Sequence, residues 1–282
     1  MSRQAVLFTP GDERRMVEKA LESPADMVIL DIEDAVAPSM KTTACETVAA
    51  VLNETDPDDV EVEVTVRINP MGDRGATDVE LLAEAADRIE NLVLPKVRGT
   101  DELDELVATL EEHGFEAGLM PLIETPLAIA NLHDIAGYPG VEAMEFGAED
   151  FTTEIGGINT DERDEVLYAR QKVVVAGAAH DVDAIDMAWP DFKDVEGLRH
   201  NTEQAVRMGF DGKSAIHPSQ IEVIKDVYRP SEEQVDWARR VVEEAERAEA
   251  EGKVVFQMDG EMIDPPIIAR AEDIIERYEA AS

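Results

Sequence analysis

LMPLIETPLAIANLHDIAGYPGVEAMEFGAED, Leu119 to Asp150, carries two short apolar runs, Leu119–Thr125 and Ala143–Asp150, with a longer amphipathic stretch between them. Apolar runs of this length, punctuated by Gly, Pro and acids, have the form of buried strands. Six further runs of the same kind lie at Val6–Pro10, Met27–Asp34, Val62–Pro70, Leu92–Val97, Ala184–Ala188 and Ser214–Pro218. Between runs, segments such as Glu13–Leu21, Lys41–Leu52 and Thr100–His113 set Leu, Val, Ala and Met at helical spacing against charge. Strand alternating with helix predicts a parallel sheet, and eight units predict its closure into a (β/α)₈ barrel. An open, doubly wound sheet is the competing architecture. No GxGxxG or GxxxxGK[ST] loop follows the first run, which counts against it.

After the eighth run, Ser231–Ala250 has the pattern of a long charged helix, Gly252–Asp264 is polar and irregular, and a last helix is expected from about Pro265. The expected division is a barrel over residues 1–229 and a C-terminal helical extension over 230–282. The extension is too short for a domain of its own and long enough to reach a neighbouring subunit.

Charge is the extreme feature. There are 64 acidic residues against 25 basic ones, a net charge of −39, and 17 of the basic residues are Arg. Such a surface repels phosphate backbones and anionic lipid, so nucleic-acid and membrane-surface roles are excluded. The acids are dispersed among periodic apolar segments rather than gathered in a tail, which argues for a folded chain screened by abundant cations. A salt-rich cytoplasm is the expected setting. The single Cys45 excludes an intramolecular disulfide and a cysteine metal cluster. No signal-like apolar segment opens the chain and no run approaches 18 apolar residues.

In a barrel the strand ends form the reactive face. Those ends carry Thr9, Pro10, Glu33, Asp34, Arg67, Lys96, Glu124, Asp150, Asp186 and His217. So many acids in one pocket require a cation. Glu124 and Asp150 come from consecutive strands and can reach one ion. Two carboxylates completed by water and substrate oxygens suit Mg²⁺ better than Zn²⁺. Taken alone, either acid reads better as the cap of a following helix, and it is the pair with its flanks that favours a metal. Arg67 could instead pair structurally with Glu33 or Asp34, which are expected to orient it from behind. Lys96 could touch substrate or neutralise the mouth. His217 and Lys213 have the look of a satisfied strand-end histidine and a salt-bridge residue. Asp264, before Pro265-Pro266, has the form of a helix N-cap.

In this order and spacing, LFTPGDERRMVEKAL (7–21), ADMVILDIEDAVAP (25–38), VRINP (66–70), LPKV (94–97), PLIETPLAI (121–129), FGAEDF (146–151), GFDGKSAIHPSQI (209–221) and GEMIDPPII (260–268) resemble the citrate lyase β-subunit-like family. That family lies within the HpcH/HpaI aldolase superfamily, with malyl-CoA and citramalyl-CoA lyases as relatives. The resemblance implies a TIM barrel with Mg²⁺ on Glu124 and Asp150, and Arg67 on substrate oxygens beside it. It implies that Phe8, Arg14 and Lys19 help hold substrate or CoA, and that Asp264 works as acid/base in a neighbouring subunit's site. The expected reaction cleaves a 3-hydroxyacyl-CoA into an acyl-CoA and a 2-keto acid, in a homotrimer or hexamer. The alternatives are a metal-dependent aldolase on free keto acids without CoA, and a catalytically silent metabolite-binding barrel.

Overall fold

A computed structural model describes residues 3–250 and 252–280. The eight runs form eight parallel strands: β1 (Ala5–Pro10), β2 (Met27–Asp31), β3 (Glu63–Arg67), β4 (Asn91–Leu94), β5 (Gly118–Ile123), β6 (Ala143–Phe146), β7 (Asp183–Asp186) and β8 (Gly212–Ala215). Each pairs with the next, and β8 pairs back to β1, closing the barrel. Several strands stop short of the expected runs, for a local reason. After β2, the Asp31 carboxylate accepts the backbone N–H groups of Glu33 (2.8 Å) and Ala35 (3.0 Å) and turns the chain out of the ladder. After β6, a helix already begins at Ala148.

Side chains alternate between barrel interior and helix layer, as strand geometry requires. Val6, Met27, Ile29, Val93, Met120, Leu122, Ala143 and Ile185 form the interior cluster, with Phe8 packed on its upper edge. Full burial of a side chain of this size stabilises by about 1.5–3 kcal/mol, so this plug sets the floor on which the mouth residues stand. The outward positions carry a second, ionic layer. Arg170, on helix Leu167–His180, donates two parallel hydrogen bonds to Asp186 at 2.9 and 2.8 Å. Lys213 Nζ donates to Asp186 (2.9 Å), to the Met187 carbonyl (2.6 Å) and to Asn201 of helix Val195–Met208 (2.6 Å). Asp186, expected at the reactive mouth, is therefore corrected: it follows inward-facing Ile185 on β7, and alternation turns it out toward the helices.

Residues up to Lys225 form one compact unit and those from Asp226 a second. In the second, helices Glu232–Ala250 and Pro265–Ala280 enclose an apolar cluster of Val235, Ala238, Val241, Ile263, Ala271 and Ile274. The segment expected to be irregular instead contains an antiparallel hairpin, β9 (Phe256–Met258) and β10 (Glu261–Ile263). Its two-residue turn, Asp259-Gly260, takes φ values of 53° and 89°, the left-handed pair a tight hairpin needs and the reason an Asp-Gly step forms one.

Candidate active site

The upper ends of β1, β2, β3, β5 and β6 surround a cavity of about 490 Å³, walled by Phe8, Asp31, Asp34, Arg67, Leu122, Glu124, Glu145 and Asp150, with Met187 and Ile216 opposite. Its apolar members exclude water from part of the wall, which strengthens every charge interaction inside.

Glu124 leaves the end of β5 and is 2% exposed. The helix that follows it is capped by Thr125, whose hydroxyl accepts the Ala128 N–H at 3.0 Å, so Glu124 is not spent as a cap and turns inward. Gly147 permits this: a Cβ there would lie 2.7 Å from the Glu124 Cβ. The Glu124 Oε1 accepts the backbone N–H of Lys96 at 2.8 Å. Lys96 adopts a left-handed φ of 57°, a conformation that costs a non-glycine residue about 1–2 kcal/mol and that aims this N–H at the carboxylate. Asp150 lies in the first turn of helix Ala148–Glu154 and remains half-exposed. The Lys96 ammonium sits 2.5 Å from Asp150 Oδ2 and 3.3 Å from Glu124 Oε1. Burial pushes the Glu124 carboxyl up to about 8, against the opposing pull of Lys96. Burial also opposes the Asp150 charge, but the hydrogen bond and charge of Lys96 outweigh it and hold Asp150 below the usual carboxylate range.

Two carboxylates thus converge on one positive charge, and the lining supplies hard oxygen donors without His or Cys. This donor set fits Mg²⁺, which takes one or two carboxylates and completes its shell with water and substrate oxygens. No cluster of three or more His, Cys, Asp or Glu suited to a metal occurs among the described residues, so the remaining ligands would have to be water and substrate.

Arg67, at the end of β3, donates from Nε to Asp31 Oδ1 (2.8 Å) and from Nη2 to Asp31 Oδ2 (2.6 Å), with Nη1 3.4 Å from Glu33. Its guanidinium also lies 5.2 Å from the centre of the Phe8 ring. Burial works against its charge, but the Asp31 pairing and the neighbouring acids outweigh burial and raise its pKa. Glu33 feels burial first and is pushed up to about 7 despite Arg67. The principal partner of Arg67 is therefore Asp31, which sequence reasoning did not single out; Glu33 is a secondary contact and Asp34 lines the wall. The missed signal is strand alternation, which puts Met27, Ile29 and Asp31 on one face. Glu145 was missed as well, an acid inside the apolar run of β6, at the inward position after Ala143.

Of the other sequence candidates, Phe8 lines the cavity, whereas Arg14 and Lys19 do not. Arg14 is exposed on helix Arg14–Leu21 and is held by Glu18 (3.0 Å) and Glu54 (2.9 Å); Lys19 is exposed on the same helix. His217 accepts the Ser219 N–H and stacks on Phe192 with ring centres 4.6 Å apart. Asp264 belongs to the second unit. Its carbonyl accepts the N–H groups of Ile267 (3.0 Å) and Ile268 (3.1 Å), and its Oδ1 lies 3.4 Å from the Ile267 nitrogen, which places it at the start of the last helix.

Residues 4–218 match the family described as HpcH/HpaI aldolase/citrate lyase, and residues 165–280 match that described as C-C bond lyase of the TIM-barrel fold. The mitochondrial citramalyl-CoA lyase of Mus musculus is 34% identical, covering 97% of this chain and 85% of its own length. The citrate lyase subunit beta of Escherichia coli K12 is 33% identical, covering 99% of this chain and 94% of its own. Among solved structures, the CitE protein of Mycobacterium tuberculosis, crystallised with magnesium, acetoacetate and coenzyme A, aligns with a TM-score of 0.84 at 32% identity, covering 99% of this chain and 98% of that one.

Proposed function

Because the chain belongs to the HpcH/HpaI aldolase/citrate lyase family, we propose that it is a Mg²⁺-dependent carbon–carbon lyase. It cleaves a 3-hydroxyacyl-CoA, such as citramalyl-, malyl- or citryl-CoA, into an acyl-CoA and a 2-keto acid, or joins the two in reverse. The observation that carries this reading is the convergence of Glu124, after β5, and Asp150, in the helix after β6, on one cation-sized position at the wall of the cavity. The magnesium, acetoacetate and coenzyme A bound by the related CitE protein support it.

Glu124 and Asp150 would hold the ion, which when bound supplies Lewis acidity toward the oxygens of the hydroxy-acid portion. Lys96, whose ammonium lies between the two carboxylates, would yield that position to the ion and stay a cation beside the mouth. Arg67 is a fixed fork. Asp31 engages Nε and Nη2 and leaves other N–H donors for substrate oxygens. When the carbon–carbon bond breaks, the hydroxyl passes its proton to water at the open mouth and becomes the keto group. The bonding pair passes to the acyl-CoA, as an enolate whose oxygen the Arg67 charge stabilises. That enolate carbon must take up a proton. Asp264 is the acid/base assigned to this step, contributed from a neighbouring subunit of a trimer or hexamer. Leu122, Phe146 and Met187 keep bulk water from the enolate.

Malyl-CoA and citramalyl-CoA assayed in molar KCl, with Mg²⁺ and with EDTA, test the proposal. Keto acid is expected only with the metal. Equal turnover after chelation, or cleavage of free keto-acid aldols without CoA, would overturn it.

A further inference from the structure

The mechanism leaves one buried acid unused. Glu145 faces the barrel interior, is 4% exposed, and lines the same cavity as Glu124 and Asp150. It pairs in register with Leu122, so it stands one inward layer below Glu124. Its Oε1 accepts the hydroxyl of Ser214 at 2.5 Å, while its Oε2 is buried without a hydrogen-bond partner among the described residues. A buried carboxyl oxygen left unpaired is costly to keep, and the residue that carries it lines the cavity where substrate must lie.

The charges around it define what it can accept. Asp31, Asp34, Glu124, Glu145, Glu149 and Asp150 line the cavity, and Arg67 is the one basic residue among the described lining. Arg67 is already matched by Asp31 and Glu33. Lys96, or a metal ion in its stead, answers Glu124 and Asp150. One substrate carboxylate can be served by the ion and Arg67. A second would meet Glu145, Leu122 and Met187, where the one nearby cation, Arg67, is already committed to Asp31, Glu33 and the first carboxylate.

We propose that Glu145 is the substrate-selecting residue of the cavity: it admits 2-keto acids with a single carboxylate, of the pyruvate or glyoxylate kind, and rejects dicarboxylates such as oxaloacetate. This rests on the lyase reading. The keto acid is anchored by its carboxylate at the acid pair, and its substituent lies against the layer below, where Glu145 repels a second negative charge and tolerates hydrogen or methyl. The repulsion also explains why an acid persists at an interior position that could hold a Leu or Met.

Condensation of acetyl-CoA or propionyl-CoA with pyruvate, glyoxylate and oxaloacetate at pH 8, where the Glu145 carboxyl is ionised, decides the matter, with kcat and KM measured for each keto acid in the whole chain with Mg²⁺. In the wild type, kcat/KM for the better monocarboxylate is expected to exceed that for oxaloacetate by about tenfold or more, the scale of one like-charge contact in a dry site. Glu145→Gln keeps the shape and the Ser214 contact but removes the charge, and narrows that ratio about tenfold, chiefly through KM for oxaloacetate. Glu145→Asp keeps the charge and retains the preference. Oxaloacetate used as well as the monocarboxylates by the wild type overturns the assignment whatever the variants do, as does an unchanged ratio in folded Glu145→Gln. Circular dichroism checks that Glu145→Gln is folded, and Ser214→Ala, which removes the Oε1 contact and keeps the charge, is expected to retain the preference; its loss there would overturn the assignment to charge. No turnover of any keto acid would instead remove the lyase reading.

Discussion

Glu124 shows how a residue acquires its role from its immediate neighbours. Thr125 takes over the capping of the next helix, Gly147 clears space beside the carboxyl, and a left-handed Lys96 presents an N–H to it. Glu124→Ala or Asp150→Ala should therefore lower Mg²⁺-dependent turnover by at least about 100-fold with circular dichroism unchanged; near-normal rates in either would remove the metal assignment. Glu145 makes a second residue-level prediction. Burial raises its carboxyl from 4.5 to about 7, with Ser214 and Arg67 opposing. The folded state thus binds that proton more tightly than the unfolded chain does. Its stability contribution is fully present below about pH 4.5 and is lost as pH rises through 7, a loss on the order of 3 kcal/mol. Glu145→Gln should accordingly melt a few degrees above wild type at pH 8, with the advantage vanishing near pH 5. A pH-independent difference in Tm would show that the carboxyl is not ionising in place.

At the scale of elements, the outer wall between β7, β8 and their helices is held by ions rather than oil. Asp186 receives both Arg170 and Lys213 with all three side chains buried. The two cations keep the Asp186 charge favourable despite burial, and its pKa falls; burial in turn lowers that of Lys213 against the pull of Asp186. Asp186→Ala would leave two buried cations facing one another, costing about 3–5 kcal/mol and roughly 10 °C in Tm for a unit of this size. Catalytic constants of the protein that remains folded should be near wild type, because the network faces away from the cavity. A large fall in kcat with Tm unchanged would contradict that placement. The C-terminal hairpin has the opposite character: two three-residue strands and an Asp-Gly turn, stabilised by Phe256, Met258 and Ile263 against the helix pair.

For the whole molecule, the net charge of −39 over 282 residues makes self-repulsion a term that solvent must answer. The Debye length is about 10 Å at 0.1 M salt and about 3 Å at 1 M, so repulsion between neighbouring carboxylates is strong in dilute buffer and short-ranged in brine. Dialysis from 2 M to 0.05 M KCl should lower Tm by roughly 10 °C or unfold the chain, followed by circular dichroism. A melting curve indifferent to salt would mean that the acids are paired well enough to need no screening. No helix among the described residues is long and apolar enough to cross a membrane.

The barrel was legible because eight apolar runs repeat along the chain, and burial of a run is a local property. The acid pair was legible too, since consecutive strands of a parallel barrel must end side by side. Three features depended on atoms far apart in sequence. Asp31 became the anchor of Arg67 only through the register that sets β2 beside β3. Asp186 left the mouth because its alternation points it at Arg170, a helix away. Glu145 entered the cavity because alternation along β6 turns it inward, where Ser214, 69 residues on, donates to one of its oxygens. Sequence alone determined which segments are the barrel strands and which charges stand at their ends, through hydrophobic periodicity. Tertiary structure decided which of those charges meet, because pairing is fixed by strand register and inward or outward facing, and a shift of one residue reverses it.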